Sequence, residues 1–493
     1  MLAGFHLDPG AETPLYVQLA AQIRDFIRSG RLAAGERLPA TRELAGRLGL
    51  NRSTVNAAYA LLHSEGLIQG HVGRGSFVST RPPARSLDWS HLLEPASRFS
   101  ALSWNTAGEP QDVISFATSR PDETLFPLEE FRATCREVVE GEEARALLQL
   151  GSPAGYAPLR EYLLAEARRE GVLRSGDDLL ITSGCQQALD LLHRVLLRPG
   201  DTVAIEEPGA PGLRSLFLRA GARLVGVPIR PTGLDLAQLE DVLAREQPRL
   251  LVVTPSFQNP TGLSLSREAR RAVLEQARAF GVVLIENDIY GDLRYHGAAL
   301  PTLKQMDETG DTVLLRSFSK VAFPGLRVGW LIAPRPLVAR LAEAKQWTDL
   351  HTDQLSQAVL LRFALSGRLA RHRERVQRAG AERLAAVLAA CRRHLPEGAS
   401  WTQPQGGMNL WVRLPEPLDA ADLLPRARQQ NVTYLPGTFF EVSRPQRAGL
   451  RICFAAVPPA RIRTGLAILG RIFKEEMDRA RAAGRRSPAP ALV

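Results

Sequence analysis

The chain has 493 residues, is 45% hydrophobic and 23% charged, and carries a net charge of +10. That balance fits a folded protein of roughly two to four domains with large cores, and excludes a disordered or fibrous chain. No run of 18 or more apolar residues exists, so no membrane span is expected, and Met1 to Gly10 lacks the basic and apolar regions of a signal peptide. Cys135, Cys185, Cys391 and Cys453 show no Cys-x-x-Cys spacing, so neither a disulfide framework nor a metal site is expected and a reducing cytoplasm fits. The basic excess is lopsided. Only Lys304, Lys320, Lys345 and Lys474 are lysines among 62 basic residues. GC-rich coding explains abundant arginine as readily as nucleic-acid binding does, and residues 1–80 hold eight arginines against six acids. Each retained lysine is therefore conspicuous for its amine.

In chain order, Leu15, Leu19, Ile23, Phe26 and Ile27 recur at helical spacing up to Ser29-Gly30. A second short helix runs from Thr41 to Leu48. After Gly49-Leu50-Asn51 a third follows, capped by Asn51 or Ser53, with Val55, Ala58, Tyr59, Leu61 and Leu62 as its buried side. Two short strands flank Gly73-Arg74-Gly75. Three helices and a hairpin make a winged helix-turn-helix, which docks its third helix in the major groove of double-stranded DNA. The residues placed there are Arg52, Ser53, Thr54 and Asn56; arginine can read guanine and asparagine adenine. Arg42 falls where the second helix meets phosphate, and Arg74 with Gly75 lets the wing tip approach closely. Leu38-Pro39-Ala40-Thr41-Arg42-Glu43-Leu44-Ala45, Asn51-Arg52-Ser53-Thr54-Val55, Glu65-Gly66-Leu67-Ile68 and Gly73 to Val78 resemble a GntR-family DNA-binding domain, over residues 13–80. Binding through one copy should be modest and salt-dependent, so a dimer is expected.

Residues 81–112 read as a linker, stiff at Pro82-Pro83, with Trp89, Leu92, Leu93, Phe99 and Trp104 too apolar for a free tether. From 113 to 475, apolar runs at 179–182, 202–205, 223–227, 250–253, 282–285, 312–315 and 328–332 alternate with amphipathic helices. The pattern is α/β, with a mostly parallel sheet covered on both faces and sites at the strand C-termini. Residues 476–493, with Arg481, Arg485, Arg486 and Pro488, read as a disordered tail.

The motifs fall at those strand ends. Ser183-Gly184-Cys185-Gln186 opens a helix, where backbone N–H groups bind anions. Asn259-Pro260-Thr261-Gly262 is a turn with an amide at its lip. Ser317-Phe318-Ser319-Lys320, with Arg327 seven residues on, offers hydroxyls, an amine and a guanidinium suited to a phosphate and a Schiff base. Arg451 is a strand arginine able to clamp a carboxylate. Together these resemble the fold-type I pyridoxal-phosphate enzymes of the aminotransferase class, with a small C-terminal subdomain, from about Phe116 to Phe454. The resemblance implies pyridoxal 5'-phosphate as cofactor and Lys320 as the catalytic, Schiff-base amine. It implies Ser317, Ser319, Arg327, Gly184, Cys185 and Gln186 at the phosphate, Asn259 and Tyr290 at the ring hydroxyl, and Arg451 at the α-carboxylate of the substrate or effector.

Three positions depart from the pattern. The acid that keeps the ring nitrogen protonated lies three residues before the tyrosine; here that residue is Asn287, with Asp288 adjacent, and either can face the ring. Ala210 replaces the stacking aromatic, and Leu150 the tyrosine that reaches the partner's phosphate. A GntR-type winged helix joined to such a domain resembles the MocR-type regulators. The resemblance implies a cytoplasmic, homodimeric transcription factor that senses a small amino-group effector. The alternative is a working aminotransferase with a vestigial winged helix.

Overall fold

The structure, a computed structural model, describes residues 4–11, 13–71, 74–80 and 112–484. The chain folds as two compact units, 1–100 and 101–493. Most of the 81–112 linker, Gly73 and residues 485–493 lie outside the described residues.

In the first unit, α1 (Leu15–Arg28), α2 (Thr41–Leu48) and α3 (Arg52–Ser64) precede an antiparallel hairpin of β1 (Ile68–His71) and β2 (Gly75–Val78). Gly49 ends α2 in the left-handed region (φ 67°), and the Asn51 side chain accepts the Ser53 N–H at 3.0 Å to start α3. Asn51, not Ser53, is thus the cap. Leu19, Ile23, Leu44, Val55, Ala58, Leu62 and Ile68 form the core. Arg24 pairs with Glu65 through Nε at 2.9 Å, and Tyr59 donates to Pro39 O at 2.9 Å, fixing α1 and the α2 entry on α3.

In the second unit the short parallel pair of β3 (Ile114–Ser115) and β14 (Val432–Thr433) accompanies a large eight-stranded sheet. Its strands are β4 (Asp177–Thr182), β5 (Thr202–Glu207), β6 (Arg223–Arg230), β7 (Gly233–Leu234), β8 (Leu250–Val253), β9 (Val283–Asn287), β10 (Val313–Ser317) and β11 (Gly329–Pro334). The order is β4-β11-β10-β9-β8-β5-β6-β7. The run β10-β9-β8-β5-β6 is parallel; β11 is antiparallel to β10 and to β4, and β7 closes a hairpin on β6. Side chains alternate between faces. Val203, Ile205, Leu250, Val252, Ile285, Val313 and Leu315 pack on one face against α4 (Cys185–Leu196), while Ala204, Leu251, Val253 and Leu284 pack on the other.

The small subdomain combines α5 (Arg368–His394), α6 (Ala420–Gln429) and α7 (Pro459–Gly484) with a sheet of order β12-β13-β16-β15, comprising Ser400–Trp401, Asn409–Arg413, Gly449–Cys453 and Leu435–Pro436. Leu410, Val412, Leu450 and Ile452 turn one face of this sheet to a core shared with the helices. Part of the expected tail is corrected here: residues 476–484 continue α7. Glu475 and Glu476 both accept from Arg426, and Met477 packs on the subdomain core, so local contacts outweigh the arginine-rich composition that suggested a tail.

Candidate cofactor site and DNA-binding surface

Strand alternation decides which groups meet at the C-terminal edge of the large sheet. Thr254, Asn287 and Ser317 continue the face packed against α4, because they follow Val252, Ile285 and Leu315 by two residues. Asn287 Nδ2 donates to Thr254 Oγ1 at 3.3 Å. Its buried Oδ1 has no partner among the described residues. Glu286 and Asp288 fall on the opposite face. Glu286 accepts the backbone N–H groups of Leu303 and Lys304, and Asp288 accepts from Arg316 Nε at 3.1 Å. Burial pushes the Asp288 carboxyl up, and Arg316 opposes the shift. Of the two neighbours, Asn287 shares the face of Ser317 and the start of α4.

Lys320 ends a 3-10 turn that begins directly after β10. Its half-buried Nζ donates to Ser119 O at 2.7 Å and lies 5.8 Å from the centre of the buried Tyr290 ring. The Ser317 hydroxyl accepts the Ser319 N–H at 3.0 Å and stands 2.8 Å from Ser319 Oγ, so both hydroxyls sit on the same side of the turn. Arg327 occupies the left-handed region (φ 54°), a conformation that costs a non-glycine residue on the order of 1 kcal/mol or more. This aims its guanidinium at Ser183 O (3.3 Å) and Ser319 Oγ (3.5 Å).

Gly184 precedes α4 with φ 80°, and a Cβ there would lie 2.4 Å from Arg327 Nη2. Only glycine lets the guanidinium close over the helix end, where the first-turn N–H groups at Cys185 and Gln186 emerge. The Cys185 thiol donates to Arg316 O at 3.2 Å, and burial pushes it up to about 12. It is therefore a neutral packing group at the helix start.

Arg451 lies on β16, nearly buried, with its guanidinium donating to Asn259 Oδ1 at 3.2 Å and to Ala117 O. Burial holds it below its ordinary value. Its Nε has no partner among the described residues. The structure thus brings Lys320, Tyr290, Asn259 and Arg451 onto one edge, and Ser317, Ser319, Arg327 and Gly184 beside it. Sequence reasoning missed the backbone carbonyls of Ala117 and Ser119. No motif marks them, and they reach the site only through the fold. Ala210 caps Pro211–Arg219, and Leu150 is 71% exposed.

In the winged helix, Arg42, Arg52, Ser53, Asn56, Arg74 and Gly75 are exposed and Thr54 is half-buried, while Val55, Ala58 and Leu62 are on the buried side of α3. Gly75 has φ 102°, and Arg74 N–H donates to His71 O at 3.0 Å, setting the wing turn.

Residues 111–469 match the family model for aminotransferase class I and II, and residues 15–78 that for bacterial regulatory proteins of the gntR family. The chain therefore belongs to the aminotransferase class I and II family, a fold-type I family whose cofactor is pyridoxal 5'-phosphate. Within it, this is a DNA-binding regulator of MocR type, with the GntR winged helix ahead of an aminotransferase-like domain. The probable rhizopine catabolism regulatory protein MocR of Rhizobium meliloti is 32% identical over 97% of this chain and 99% of its own. Aromatic-amino-acid aminotransferase 1 of Thermococcus litoralis is 35% identical over 75% of this chain and 90% of its own. Among solved structures, Pyrococcus horikoshii kynurenine aminotransferase, in complex with PMP, superposes with a TM-score of 0.75 at 33% identity, over 80% of this chain and 98% of that one. No described helix is long and apolar enough to cross a membrane.

The residues present fit the cofactor. The cradle at Gly184 would be filled by any Cβ, hydroxyls and a guanidinium converge beside it, and the half-buried Asn287 carries a buried oxygen with no partner among the described residues on the same face.

Proposed function

We propose that the aminotransferase-like domain is the sensor of a homodimeric, cytoplasmic transcription factor, holding pyridoxal phosphate at Lys320 and responding to an amino acid. The cofactor, when bound, supplies an electrophilic carbon to which amines add. Ser317, Ser319, Arg327 and the α4 N-terminus hold the phosphate, Asn259 and Tyr290 hold the ring hydroxyl, and Arg451 takes the effector's carboxylate. The observation that carries this reading is Asn287. A neutral amide stands on the face where a carboxylate would keep the ring nitrogen protonated, while Asp288, the next residue, is tied to Arg316 on the other face. Amine recognition is kept and electron withdrawal is weakened. That combination suits a receptor better than a turnover catalyst.

Dimerisation is supported by apolar side chains left on the surface. Leu148 is 81% exposed and Trp347 83%, with Leu150 and Leu350 also exposed. Gln354 joins their two segments by donating to Gln149 O at 2.7 Å. On DNA, Arg52, Ser53, Thr54 and Asn56 read bases, while Arg42, Arg74 and Gly75 approach the backbone.

The test is promoter-fragment binding by the full chain with cofactor, with and without amino acids, alongside absorbance spectra before and after borohydride. The wild-type protein is expected to show a cofactor band fixed by borohydride and an effector-dependent change in DNA affinity. Lys320→Ala is expected to lose both. A Lys320→Ala protein that still answers the effector overturns the reading. The second reading, a working aminotransferase, is favoured by the retention of Lys320, Arg327, Asn259 and Arg451. Rapid conversion of bound cofactor to its amine form without DNA binding would establish it.

A further inference from the structure

Asn409 is fully buried, and neither Oδ1 nor Nδ2 has a hydrogen-bond partner among the described residues. An amide in that state leaves its desolvation uncompensated and calls for a role. Its position supplies one. Asn409 begins β13 and lies directly opposite Cys453 on β16; Trp411 lies opposite Arg451. Opposed residues of an antiparallel pair share a face. Asn409, Trp411, Cys453 and Arg451 therefore face away from the subdomain core that takes Leu410 and Ile452.

That face is the one turned to the proposed sensor site. Cys453 packs with Tyr290 and Val321, and both Lys320 and Arg451 act on its thiol. The Asn259–Gly262 turn closes on the Asn409 backbone: a Cβ at Gly262 would stand 2.2 Å from Asn409 O. Asn409 is a diagonal neighbour of Arg451, whose Nε is likewise unpartnered among the described residues.

We infer that Asn409 is a specificity-determining residue that binds the effector's side chain, and that the effector is an α-amino acid bearing a neutral hydrogen-bonding group, a carboxamide or hydroxyl. This rests on the sensor reading above. The chemistry follows from the amide itself, which offers one acceptor and a donor pair. A carboxylate satisfies only the donors and an ammonium only the acceptor. A carboxamide or hydroxyl can satisfy both. A site built to pair such groups discriminates strongly against an apolar isostere, because its own polar atoms are then left bare.

The experiment is a thermal-shift titration of the cofactor-loaded full chain with two isosteric pairs, L-asparagine against L-leucine and L-threonine against L-valine. In at least one pair, the polar member is expected to raise the melting temperature at a tenfold or more lower concentration. Asn409→Leu is expected to abolish that preference while keeping the cofactor band. Asn409→Asp, nearly isosteric, guards against simple misfolding and is expected to weaken the response to the polar member. Equal responses within both pairs, or a preference that survives in Asn409→Leu, overturns the inference and leaves the sensor reading standing. A loaded protein that responds to none of the four, and whose spectrum is unchanged by them, overturns the sensor reading and this inference with it.

Discussion

Lys320 and Arg451 are held by one stretch of backbone: Lys320 donates to Ser119 O at 2.7 Å, and Arg451 donates to Ala117 O two residues earlier. Just upstream the same stretch is pinned independently, by Ile114 N–H to Asn431 O at 2.7 Å and Phe116 N–H to Thr433 O at 2.8 Å. Under the proposed function, cofactor at Lys320 and an effector carboxylate at Arg451 would compete for the groups that hold residues 117–119. Cofactor with an amino acid is therefore expected to raise amide exchange at Ala117 to Arg120 by about tenfold or more, the loss of a charge-assisted hydrogen bond. Exchange at Ile114 and Phe116 should stay slow. Unchanged exchange across 117–120, measured by mass spectrometry, would count against the competition.

Gly184 and Arg327 cannot both keep their places if a side chain is added, since the Cβ would sit 2.4 Å from Nη2 at a backbone φ of 80°. Gly184→Ala is expected to weaken cofactor affinity tenfold or more and to cost about 1–3 kcal/mol of stability. Equilibrium dialysis of cofactor and denaturant unfolding measure the two effects separately.

Asn287→Asp returns a carboxylate to the face of Ser317 and α4. The conversion of bound cofactor to its amine form by an amino acid is expected to quicken on the order of 10²-fold, by stopped-flow absorbance. An unaltered rate would mean that the ring nitrogen is not governed from this position.

His372 is buried against Phe323, ring centres 5.9 Å apart and nearly parallel, and neither ring nitrogen has a partner among the described residues. Burial, then the charge of Arg375, pulls it down to about 4. The unfolded chain, near 6.5, binds the proton first. Stability is complete above about pH 6.5 and falls as pH drops toward 4, by up to about 3 kcal/mol. His372→Phe should flatten that slope in urea melts taken between pH 4 and 6.5. A slope unchanged in the variant would assign it to other groups.

Arg52 stands exposed at the first turn of α3, and Arg42 is exposed on α2. Arg52→Ala is expected to cost about 1–3 kcal/mol and relax base preference at one operator position. Arg42→Ala should weaken all sequences alike and reduce the salt slope by about one. Binding isotherms at several salt concentrations distinguish them; identical salt and sequence profiles for the two variants would refute the assignment.

Local signals made much of this legible. Gly49 and Asn51 bound α2 and α3 because a left-handed cap and a side-chain cap are sequence-local. Ser317 to Lys320 could be placed at a strand end because a parallel strand is followed by its site. The Asn287 and Asp288 alternative needed only period-two alternation once β9 was anchored by Ile285. What stayed hidden was non-local. Ser119 lies 201 residues from Lys320, and Ala117 334 residues from Arg451. Asn409 reads as an ordinary strand residue until β16 is laid beside it. The arginine-rich end of α7 misled because composition outweighed its helix-forming alanines and glutamates.

The lysines end as a chemical convenience. Lys304 is fully buried against Asp177 at 3.0 Å, and Lys345 is buried against Asp349 at 2.6 Å. Amine-directed reagents on the folded protein thus meet Lys320 and Lys474 as the two side-chain amines not buried in ion pairs. Because arginine is so frequent, trypsin cuts the chain finely around both. A single peptide map of the reduced, cofactor-loaded protein would therefore name the attachment residue directly, with no need to resolve it among a crowd of surface amines.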